Sequence, residues 1–430
     1  MQVAIAGAGY VGLTTGACLC ELGHSVSIVE IDPSRLDRLS RGESPFYEPG
    51  LSPLLARHLG SALRVTGSLG EALAGTRILF ACVGTPPRPT GAPDLTFLRK
   101  LLADLRQMGP GWAGGEQPVV VLKSTVPPGT NRWAQQFLGD RFAVASNPEF
   151  LREGTAVADF FHPDRIVVGA ESAHAADLVA SLYQTVNAPL IKTGWEEAEL
   201  VKYATNAFLA VKVTFANEVA ALCDSLGADA PAVLRALGLD QRVGERFLSP
   251  GPGFGGSCLP KDLAALRWKS RRLGVRLDLL PAALRANRRQ RQRITAKLGD
   301  LAGKRVAVWG LAFKAGTDDV RESASLEIIP QLLSQGATVA AHDPEARLTF
   351  ARACPPERNP GLTLVADPWE ALAGADALLI LTEWPIYRSA SPHEIRTAMA
   401  GDLLVDARNL LNPEDAARAG LRYIGVGRRG

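Results

Sequence analysis

The segment Val3-Ala-Ile-Ala-Gly7-Ala-Gly9-Tyr-Val-Gly12 decides the fold class of this chain. Its apolar beginning is typical of a buried strand, and the three glycines that follow have the spacing G-x-G-x-x-G. The next stretch, to about Leu22, has the composition of a helix, and Gly23 provides a C-terminal glycine for it. A second strand is predicted at Ser25–Glu30. The first thirty residues therefore predict one βαβ unit.

Strand-like runs continue to alternate with helical stretches up to about residue 170, which predicts a parallel, doubly wound sheet. A different composition begins at Glu196, because no Pro or Gly occurs from there to Leu226 and one long helix is expected. Alternation resumes at Lys304–Gly310. We therefore predict an α/β fold of two doubly wound Rossmann-like domains joined by a long central helix, with boundaries at 1–195, 196–298 and 299–430. The early strand-like runs are Arg77–Val83, Pro118–Lys123, Phe142–Ser146 and Arg165–Gly169.

The composition of the 430 residues excludes several classes of protein. A hydrophobic fraction of 47% with 21% charged residues is that of a globular chain, not a disordered or fibrous one. Lys and Arg total 47 against 44 Asp and Glu, and a net charge of +3 gives no reason to expect a nucleic-acid partner. One local basic run is interpreted as a solvated helix face; it comprises Arg288, Arg289, Arg291 and Arg293.

Cysteine usage and hydropathy indicate the compartment. Six cysteines without a C-x-x-C pair predict neither a disulfide framework nor a metal site. The N-terminus has no basic region before its glycines, so it does not resemble a signal peptide. No uninterrupted apolar run reaches the ~20 residues that span a bilayer. We expect a soluble cytoplasmic protein with no membrane partner.

The glycine motif predicts a dinucleotide site, because a strand precedes it, a helix follows it, and Glu30 ends the next strand. Backbone N–H groups at the glycine turn would hold a pyrophosphate at the helix N-terminus. The carboxylate of Glu30 would accept the ribose hydroxyls and repel a 2′-phosphate, which favours NAD over NADP. Asp32 is a second acid for the same role. The alternative is a glycine turn that binds no ligand.

Polar residues follow three further strands of the predicted sheet, where ligands of such sheets collect. Gly84 and Thr85 follow one strand and would line the cofactor, although a plain turn explains them equally well. Thr125 follows the next strand and could position water or a hydroxyl. Glu149 and Glu153 follow a third strand. These two carboxylates could act as acid and base or bind sugar hydroxyls, or they could be surface charges at a helix start.

The reactive centre is expected around Cys258, in Gly255-Gly-Ser-Cys-Leu-Pro-Lys-Asp262. Glycines precede the thiol and leave the backbone accessible, and charged residues follow it. From these features a nucleophile and a structural thiol are equally well supported. Lys202 and Asn206 are spaced i, i+4 and share one face of the long helix. Burying a lysine and an amide is costly unless they serve a site, but a solvated face explains them as well.

Together these segments resemble the UDP-glucose 6-dehydrogenase family of nucleotide-sugar dehydrogenases, and the resemblance covers essentially the whole chain. The segments that carry it are Gly7–Gly12, Val83–Pro86, Lys123–Thr130, Asn147–Ala156, Phe161–Gly169, Lys202-x-x-x-Asn206, Gly253–Asp262, Gly310–Lys314 and Asp318–Ser323.

The resemblance implies a role for each matching position. It makes Cys258 the nucleophile and places the other catalytic residues around it, namely Lys202, Asn206, Asp262, Glu149, Glu153 and Thr125. It implies a cofactor site of Gly7, Gly9, Tyr10, Val11, Gly12, Glu30, Asp32, Arg35, Gly84, Thr85, Thr125, Glu153 and Arg321. It implies a substrate site of Phe150, Leu151, Arg152, Lys202, Asn206, Phe254, Gly255, Lys314 and Arg408, with Arg242 reaching into the partner subunit of a homodimer.

The activity so implied is oxidation of UDP-glucose to UDP-glucuronate, with the site in the cleft between the α/β domains. This oxidation removes four electrons, so two NAD are used in turn, and a thiohemiacetal and then a thioester form on Cys258. GDP-mannose dehydrogenase is the nearest alternative, and UDP-N-acetylmannosamine dehydrogenase comes third. A two-electron hydroxyacid dehydrogenase would leave Cys258 without a role. A non-catalytic nucleotide-sugar sensor would not need the set of Cys, Lys, Asn and Asp.

Overall fold

A computed structural model describes residues 1–428, and these residues form two compact units. The first unit comprises Met1–Thr205 with Ala264–Val275, and the second comprises Asn206–Leu263 with the chain from Arg276. The first unit contains one eight-stranded sheet. Its strands are β1 (Gln2–Ala6), β2 (Ser25–Val29), β3 (Leu63–Thr66), β4 (Ile78–Ala81), β5 (Val119–Leu122), β6 (Ala143–Ser146), β7 (Ile166–Ala170) and β8 (Leu190–Thr193).

The first sheet has the strand order β3-β2-β1-β4-β5-β6-β7-β8. Its first six strands are parallel, as predicted, and their order is that of a dinucleotide-binding fold. The structure differs at β7, which pairs with β6 in the antiparallel direction and with β8 in the parallel direction. Strands β3 and β8 were not predicted, since neither is a continuous buried apolar run; Leu190, Ile191 and Lys192 of β8 are all exposed.

Helices cover both faces of this sheet. Along β1, Val3 and Ile5 pack into the core on one face, and Ala4 and Ala6 pack into the core on the other face. Burial on both faces explains why the strand is apolar throughout instead of alternating. The helices up to β8 are α1 (Tyr10–Glu21), α2 (Pro33–Ser40), α3 (Leu51–His58), α4 (Leu69–Leu73), α5 (Thr96–Met108), α6 (Thr130–Leu138), α7 (Ala156–Phe161) and α8 (Ala173–Ser181).

The predicted long helix is α9, which runs from Trp195 to Leu226 without interruption. Three more helices follow, namely α10 (Ala230–Gly238), α11 (Leu259–Arg272) and α12 (Leu279–Ala296). By length and hydropathy alone α9 could cross a membrane, since its most apolar window has a mean hydropathy of 1.2. However, Ala216 and Ala220 of α9 lie fully buried in the core of the second unit. The central helix of a soluble protein has the same properties.

The second unit contains a six-stranded sheet in the order β11-β10-β9-β12-β13-β14, and its pairs are all parallel. Both sheets therefore share the order 3-2-1-4-5-6, and two Rossmann-like units are present as predicted. The strands are β9 (Arg305–Trp309), β10 (Thr338–His342), β11 (Leu362–Leu364), β12 (Ala377–Ile380), β13 (Leu403–Asp406) and β14 (Arg422–Gly425). The helices are α13 (Ala324–Ser334), α14 (Arg347–Ala353), α15 (Pro368–Leu372), α16 (Pro385–Arg388), α17 (Pro392–Ala398) and α18 (Pro413–Arg418).

The two units also share a glycine turn after their first strand. Gly310 follows β9 with φ +104°, and its N–H donates to the carbonyl of His342 over 2.8 Å. In this turn a buried carboxylate accepts the next N–H groups, because Oδ2 of Asp343 lies 2.8 Å from the nitrogen of Leu311 and 3.0 Å from that of Ala312. Trp384 Nε1 also donates to this oxygen over 3.0 Å. The N–H groups of the glycine turn in the second unit therefore bind a carboxylate of the protein itself.

Candidate active site

The glycine turn of the first unit fits a dinucleotide. Gly7 has φ +103°, and a Cβ there would lie 2.7 Å from the carbonyl oxygen of Cys82. A Cβ on Gly12 would overlap the carbonyl oxygen of Gly7, so both positions must be glycine. A Cβ on Gly9, by contrast, would meet no atom within 4 Å. Open space at Gly9, where α1 begins, suits a pyrophosphate bound by N–H groups.

Acidic residues follow β2 as predicted, but they have different partners. The carboxylate of Glu30 is buried, and its Oε1 accepts a hydrogen bond of 2.9 Å from the backbone N–H of Asp32. Arg35 Nη1 lies 3.7 Å from the other oxygen of Glu30. Asp32 caps α2, since its Oδ1 accepts from the nitrogens of Ser34 and Arg35 over 2.9 and 3.0 Å. Glu30 is therefore the better placed of the two acids for a ribose.

The segments after β4 and β5 are tied to each other. Thr85 Oγ1 donates to the carbonyl of Thr125 over 3.0 Å, and Ser124 Oγ donates to the carbonyl of Val83 over 2.7 Å. A Cβ on Gly84 would meet nothing within 4 Å. The structure thus brings together Gly84, Thr85 and Thr125 at the carboxyl edge of the sheet, beside the glycine turn.

One residue at this edge was missed from the sequence. The buried carboxylate of Glu48 accepts a hydrogen bond from the hydroxyl of Tyr10 on α1. It also accepts from the nitrogens of Gly154 and Ala156 over 2.6 and 2.7 Å. Burial and the Glu48 carboxylate together raise the pKa of Tyr10. Through Tyr10, Glu48 therefore links the glycine motif to the segment that contains Glu153. Val11, the next residue of α1, is half-buried.

Glu149 and Lys202 form a buried ion pair in the first unit. Lys202 Nζ lies 2.8 Å from Oε1 of Glu149, and only 6% and 7% of the two side chains are exposed. The backbone N–H of Leu151 donates to Oε2 over 2.7 Å. Burial alone would raise the pKa of Glu149, but the Lys202 ammonium and the hydrogen bonds outweigh it and hold the pKa below its usual range. Neither residue is a surface charge.

Among the predicted substrate residues after Glu149, two have backbone N–H groups that are hydrogen-bonded to carboxylates of the protein itself. The nitrogen of Leu151 is bonded to Glu149, and that of Arg152 donates to Oδ2 of Asp159 over 2.9 Å. The Arg152 side chain pairs with the same aspartate. Phe150 lies against two cations, because its ring centroid is 3.7 Å from Cζ of Arg165 and 5.6 Å from Nζ of Lys202.

In the second unit, Asn206 and Asp262 form a buried polar pair near Cys258. Asn206 Nδ2 donates to Oδ2 of Asp262 over 2.6 Å, and Lys261 Nζ lies 2.5 Å from Oδ1. The backbone N–H of Asp262 donates to the carbonyl of Cys258 over 2.9 Å, which closes the first turn of α11. Cys258 is half-buried, whereas the other five cysteines are buried. This difference favours a reactive thiol at Cys258 over a structural one.

The loop before Cys258 is packed against the turn at Arg321 and Glu322. The N–H of Gly256 donates to the carbonyl of Arg321 over 3.0 Å, and a Cβ on Gly255 would overlap the carbonyl of Glu322. Phe254 is buried beside Gly255. The guanidinium of Arg321 is paired with Asp319 over 2.6 Å. The second unit therefore brings together Phe254, Gly255 and Arg321.

The remaining predicted substrate residues also lie in the second unit. Arg408 is fixed by the carbonyls of Leu381 and Phe313 over 2.8 and 2.9 Å and by Glu383 over 2.9 Å. The ammonium of Lys314 lies 5.6 Å from the ring centroid of Phe313, the residue whose backbone carbonyl accepts from Arg408. Arg242 is 89% exposed and pairs with Asp240 in the turn after α10.

The interpretation of the basic run as a solvated face is wrong for one of its members. Arg288, Arg289 and Arg293 are exposed, but Arg291 is buried. Its guanidinium donates to the carbonyls of Phe254 and Glu322 over 3.0 and 2.7 Å. Position in the run could not reveal this, because the hydrogen-bond partners of Arg291 lie more than thirty residues away in the sequence. Within residues 1–428, no group of His, Cys, Asp and Glu could hold a metal ion.

Comparison with known proteins gives the same family along the chain. Three family models match, all described as the UDP-glucose/GDP-mannose dehydrogenase family: the NAD binding domain at residues 1–187, the central domain at 196–289 and the UDP binding domain at 307–413. A UDP-glucose 6-dehydrogenase of Pseudomonas aeruginosa is 43% identical over 100% of this chain and 98% of its own. One from Rhizobium meliloti is 40% identical over the whole of both chains.

A solved structure is similar over the same length. The UDP-glucose dehydrogenase from the hyperthermophilic archaeon Pyrobaculum islandicum has a TM-score of 0.89 to this chain at 40% sequence identity. The similarity covers 99% of this chain and 97% of that one. Both sheets and the helices between them are therefore included.

Proposed function

Because the chain belongs to the UDP-glucose/GDP-mannose dehydrogenase family and is an NAD-dependent oxidoreductase, we propose that it oxidises UDP-glucose to UDP-glucuronate. Relatives named UDP-glucose 6-dehydrogenase, at about 40% identity over the full length, support this substrate. The observation that carries the proposal is the start of α11, where a half-buried thiol precedes a buried aspartate that binds an amide.

Cys258 performs the covalent chemistry in this proposal. Bound NAD supplies a hydride acceptor for each of the two oxidations that turn an alcohol into an acid. After the first oxidation, Sγ of Cys258 adds to the C6 aldehyde and forms a thiohemiacetal, and loss of a hydride from C6 leaves a thioester. Water then attacks the thioester, which releases the acid and restores the thiol. The intermediate aldehyde stays bound throughout.

Lys202 and Asn206 stabilise the oxyanion that develops on the C6 oxygen. They are one helical turn apart on α9. The amide nitrogen of Asn206 has two N–H donors and gives one to Asp262, so we assign the second to the oxyanion. Asp262 then orients the amide. One of the three carboxylates Glu149, Glu153 and Asp262 activates the water in this proposal, with Thr125 beside that water.

We further propose that the enzyme is a homodimer in the cytoplasm. On α9, Phe208, Phe215 and Leu222 recur every seven residues and are 66, 51 and 60% exposed. This exposed stripe suits the same face of a second copy across a two-fold axis. Arg242 extends from a turn fixed by Lys212 Nζ, which donates to the carbonyls of residues 243 and 244, and it would reach the partner's substrate. The six free thiols fit a reducing compartment.

The substrate is tested by offering UDP-glucose, UDP-galactose, UDP-N-acetylmannosamine and GDP-mannose separately with NAD. We expect turnover with UDP-glucose and two NADH per sugar oxidised. One NADH per sugar would contradict the four-electron reaction, and preference for GDP-mannose would contradict the substrate.

The covalent step is tested by Cys258→Ala. The variant is expected to keep its fold, as judged by circular dichroism, and to form no UDP-glucuronate, because no sulfur remains to hold the aldehyde. Cys354→Ala, a change of a thiol outside the proposed site, is the matched control and should turn over normally. Acid formation at the wild-type rate by Cys258→Ala would exclude the covalent mechanism.

A further inference from the structure

Helix α12 turns three buried polar side chains toward the loop at residues 250–256. Asn287, Gln290 and Arg291 occupy positions i, i+3 and i+4, which share one face of a helix. Asn287 Nδ2 and Gln290 Nε2 donate to the carbonyls of Phe254 and Gly251 over 2.9 and 2.8 Å. Asn287 Oδ1 accepts from the nitrogen of Phe254 over 2.8 Å. One side chain therefore satisfies both backbone groups of Phe254.

Arg291 joins this loop to two other segments. Its Nη2 donates to the carbonyl of Phe254 over 3.0 Å and to that of Glu322 over 2.7 Å. Its Nη1 lies 2.6 Å from a carboxylate oxygen of Glu327 on α13. Glu322 has φ +55°, a backbone conformation that a residue with a side chain rarely adopts. The guanidinium thus bridges the loop to a strained turn.

The loop is shaped so that it can lie this close to its neighbours. Gly253 has φ +99°, and a Cβ on it would lie 2.5 Å from Oδ1 of Asn287. Gly256 has φ +80°, and a Cβ on it would lie 2.7 Å from the ring of Phe313. The glycines and the α12 side chains therefore specify one position of the loop. Cys258 follows two residues later, at the start of α11.

We propose that Asn287, Gln290 and Arg291 are positioning residues that hold the loop at 250–256, and through it the thiol of Cys258, against the turn at Arg321 and Glu322. Arg291 is the central member, because its fork alone reaches both segments. The proposal rests on the proposed function only in taking Cys258 as the nucleophile. None of the three side chains needs to touch the substrate.

The test measures the rate at which iodoacetamide alkylates each cysteine, read by peptide mass spectrometry, in Arg291→Met and in the wild type. Methionine keeps an apolar stem without the donors. Because the loop is then freer to open, we expect Cys258 to react about tenfold faster while the five buried thiols keep their rates. Arg291→Lys, which retains one donor group, should lie between the two. Arg289→Met, on the exposed face of α12, is the matched control.

Steady-state kinetics provide a second readout. In Arg291→Met the KM for UDP-glucose should rise about tenfold while the KM for NAD stays within about twofold, since the loop contains the proposed substrate residues Phe254 and Gly255. If Arg291→Met does not fold, Asn287→Asp replaces it, because it removes the amide donor to Phe254 at constant shape.

Two results would overturn the proposal. One is a wild-type alkylation rate at Cys258 in Arg291→Met, or in Asn287→Asp where that variant replaces it. The other is an equal rise at all six cysteines, which would indicate general destabilisation. A wild-type protein that turns over no nucleotide sugar would refute the proposed function instead. The alkylation rates would still decide the positioning role.

Discussion

At the residue scale, we propose that the carboxylate of Glu30 sets the choice between NAD and NADP. Its side chain is buried at the end of β2, where a ribose hydroxyl is expected, and Arg35 lies 3.7 Å away. A 2′-phosphate would meet the negative charge of Glu30 before it could use the arginine. We therefore expect the charge of Glu30 to favour NAD over NADP, even though an arginine lies close by.

Replacing Glu30 by Gln is expected to weaken this choice. Loss of one charged hydrogen bond should lower kcat/KM for NAD about tenfold, and removal of the repulsion should raise kcat/KM for NADP by about the same factor. Initial rates with each cofactor measure the change. Glu43→Gln, an exposed acid beside Arg41, is the control and should alter neither value. An unchanged NAD/NADP ratio in Glu30→Gln would contradict this role.

The buried pair of Glu149 and Lys202 gives a prediction about stability. Glu149→Gln leaves a buried ammonium without its carboxylate, which should cost about 3 kcal/mol in the free energy of unfolding. The double variant Glu149→Gln/Lys202→Met removes both charges and should recover most of that loss. Urea denaturation followed by circular dichroism measures both variants. A double variant no more stable than the single one would show that the ion pair does not account for the loss.

Recovery of stability in that double variant should not bring recovery of activity. Lys202 is assigned to the oxyanion, and removing one such group typically lowers the rate by about 10²–10³-fold. The same pair is thus expected to separate folding from catalysis.

The residues that sequence could not reveal share one property: their partners are distant in the chain. Glu48 accepts hydrogen bonds from residues more than a hundred positions away. In the sequence, Arg291 looks like one more surface charge. Only the fold shows that it donates to the carbonyl of Phe254. Cys258, Glu149 and Glu30, in contrast, stand beside glycines or strand ends and could be identified. Local context was enough to propose the candidate site residues, whereas the side chains that hold their segments in place could be seen only in the fold.

At the scale of elements, the beginning of α6 depends on a carboxylate from α9. Glu199 accepts hydrogen bonds from the nitrogens of Gly129 and Asn131 over 2.5 and 2.7 Å, and from Asn131 Nδ2 over 2.7 Å. Burial nevertheless raises the pKa of Glu199 from 4.5 to about 7. The folded state therefore holds this proton more tightly than the unfolded chain does.

The sign of the pH dependence follows from that shift. The stabilising contribution of protonated Glu199 is complete below pH 4.5 and is lost as the pH rises toward about 7, a change of about 3 kcal/mol. Glu199→Gln cannot titrate, so its stability should fall less over this range. Urea midpoints between pH 4.5 and 7.5 measure the difference. Glu197→Gln, an exposed neighbour on α9, is the control, and parallel curves for wild type and Glu199→Gln would refute the assignment.

Element boundaries could be predicted wherever burial left a continuous apolar run. The strand predicted at 77–83 is observed as Ile78–Ala81, and the helix predicted from Glu196 begins at Trp195. The antiparallel pairing of β7 could not be predicted, because strand direction depends on the path of the connecting chain and not on strand composition. Exposed β8 lacks the signal altogether.

At the scale of the whole molecule, the proposed dimer makes Arg242 act in the partner's site. We expect Arg242→Ala and Cys258→Ala each to be inactive as pure proteins. Mixed after mild dissociation, they should regain activity, because a mixed dimer has one site with an intact Cys258 and the other subunit's Arg242. Random pairing gives roughly a quarter of wild-type activity.

The measurement is NADH formation by the mixture, with light scattering to confirm dimers. Arg276→Ala, another exposed arginine paired with an aspartate two residues on, should stay active by itself. A mixture as inactive as its components would place Arg242 in its own subunit's site. Monomers with full activity would exclude the assembly.

The two sheets have the same strand order, but the glycine turns after their first strands differ. Space is open at Gly9 in the first unit, whereas a carboxylate binds the turn of the second unit. Asp343 presents to Leu311 and Ala312 the negative oxygen that a phosphate would bring. The second unit, although it has the strand order of a nucleotide-binding fold, therefore need not bind a second coenzyme. The carboxylate of Asp343 already occupies the position at its glycine turn where a phosphate would bind. Without a phosphate site at this turn, the second unit can bind a different ligand and does not compete for the coenzyme.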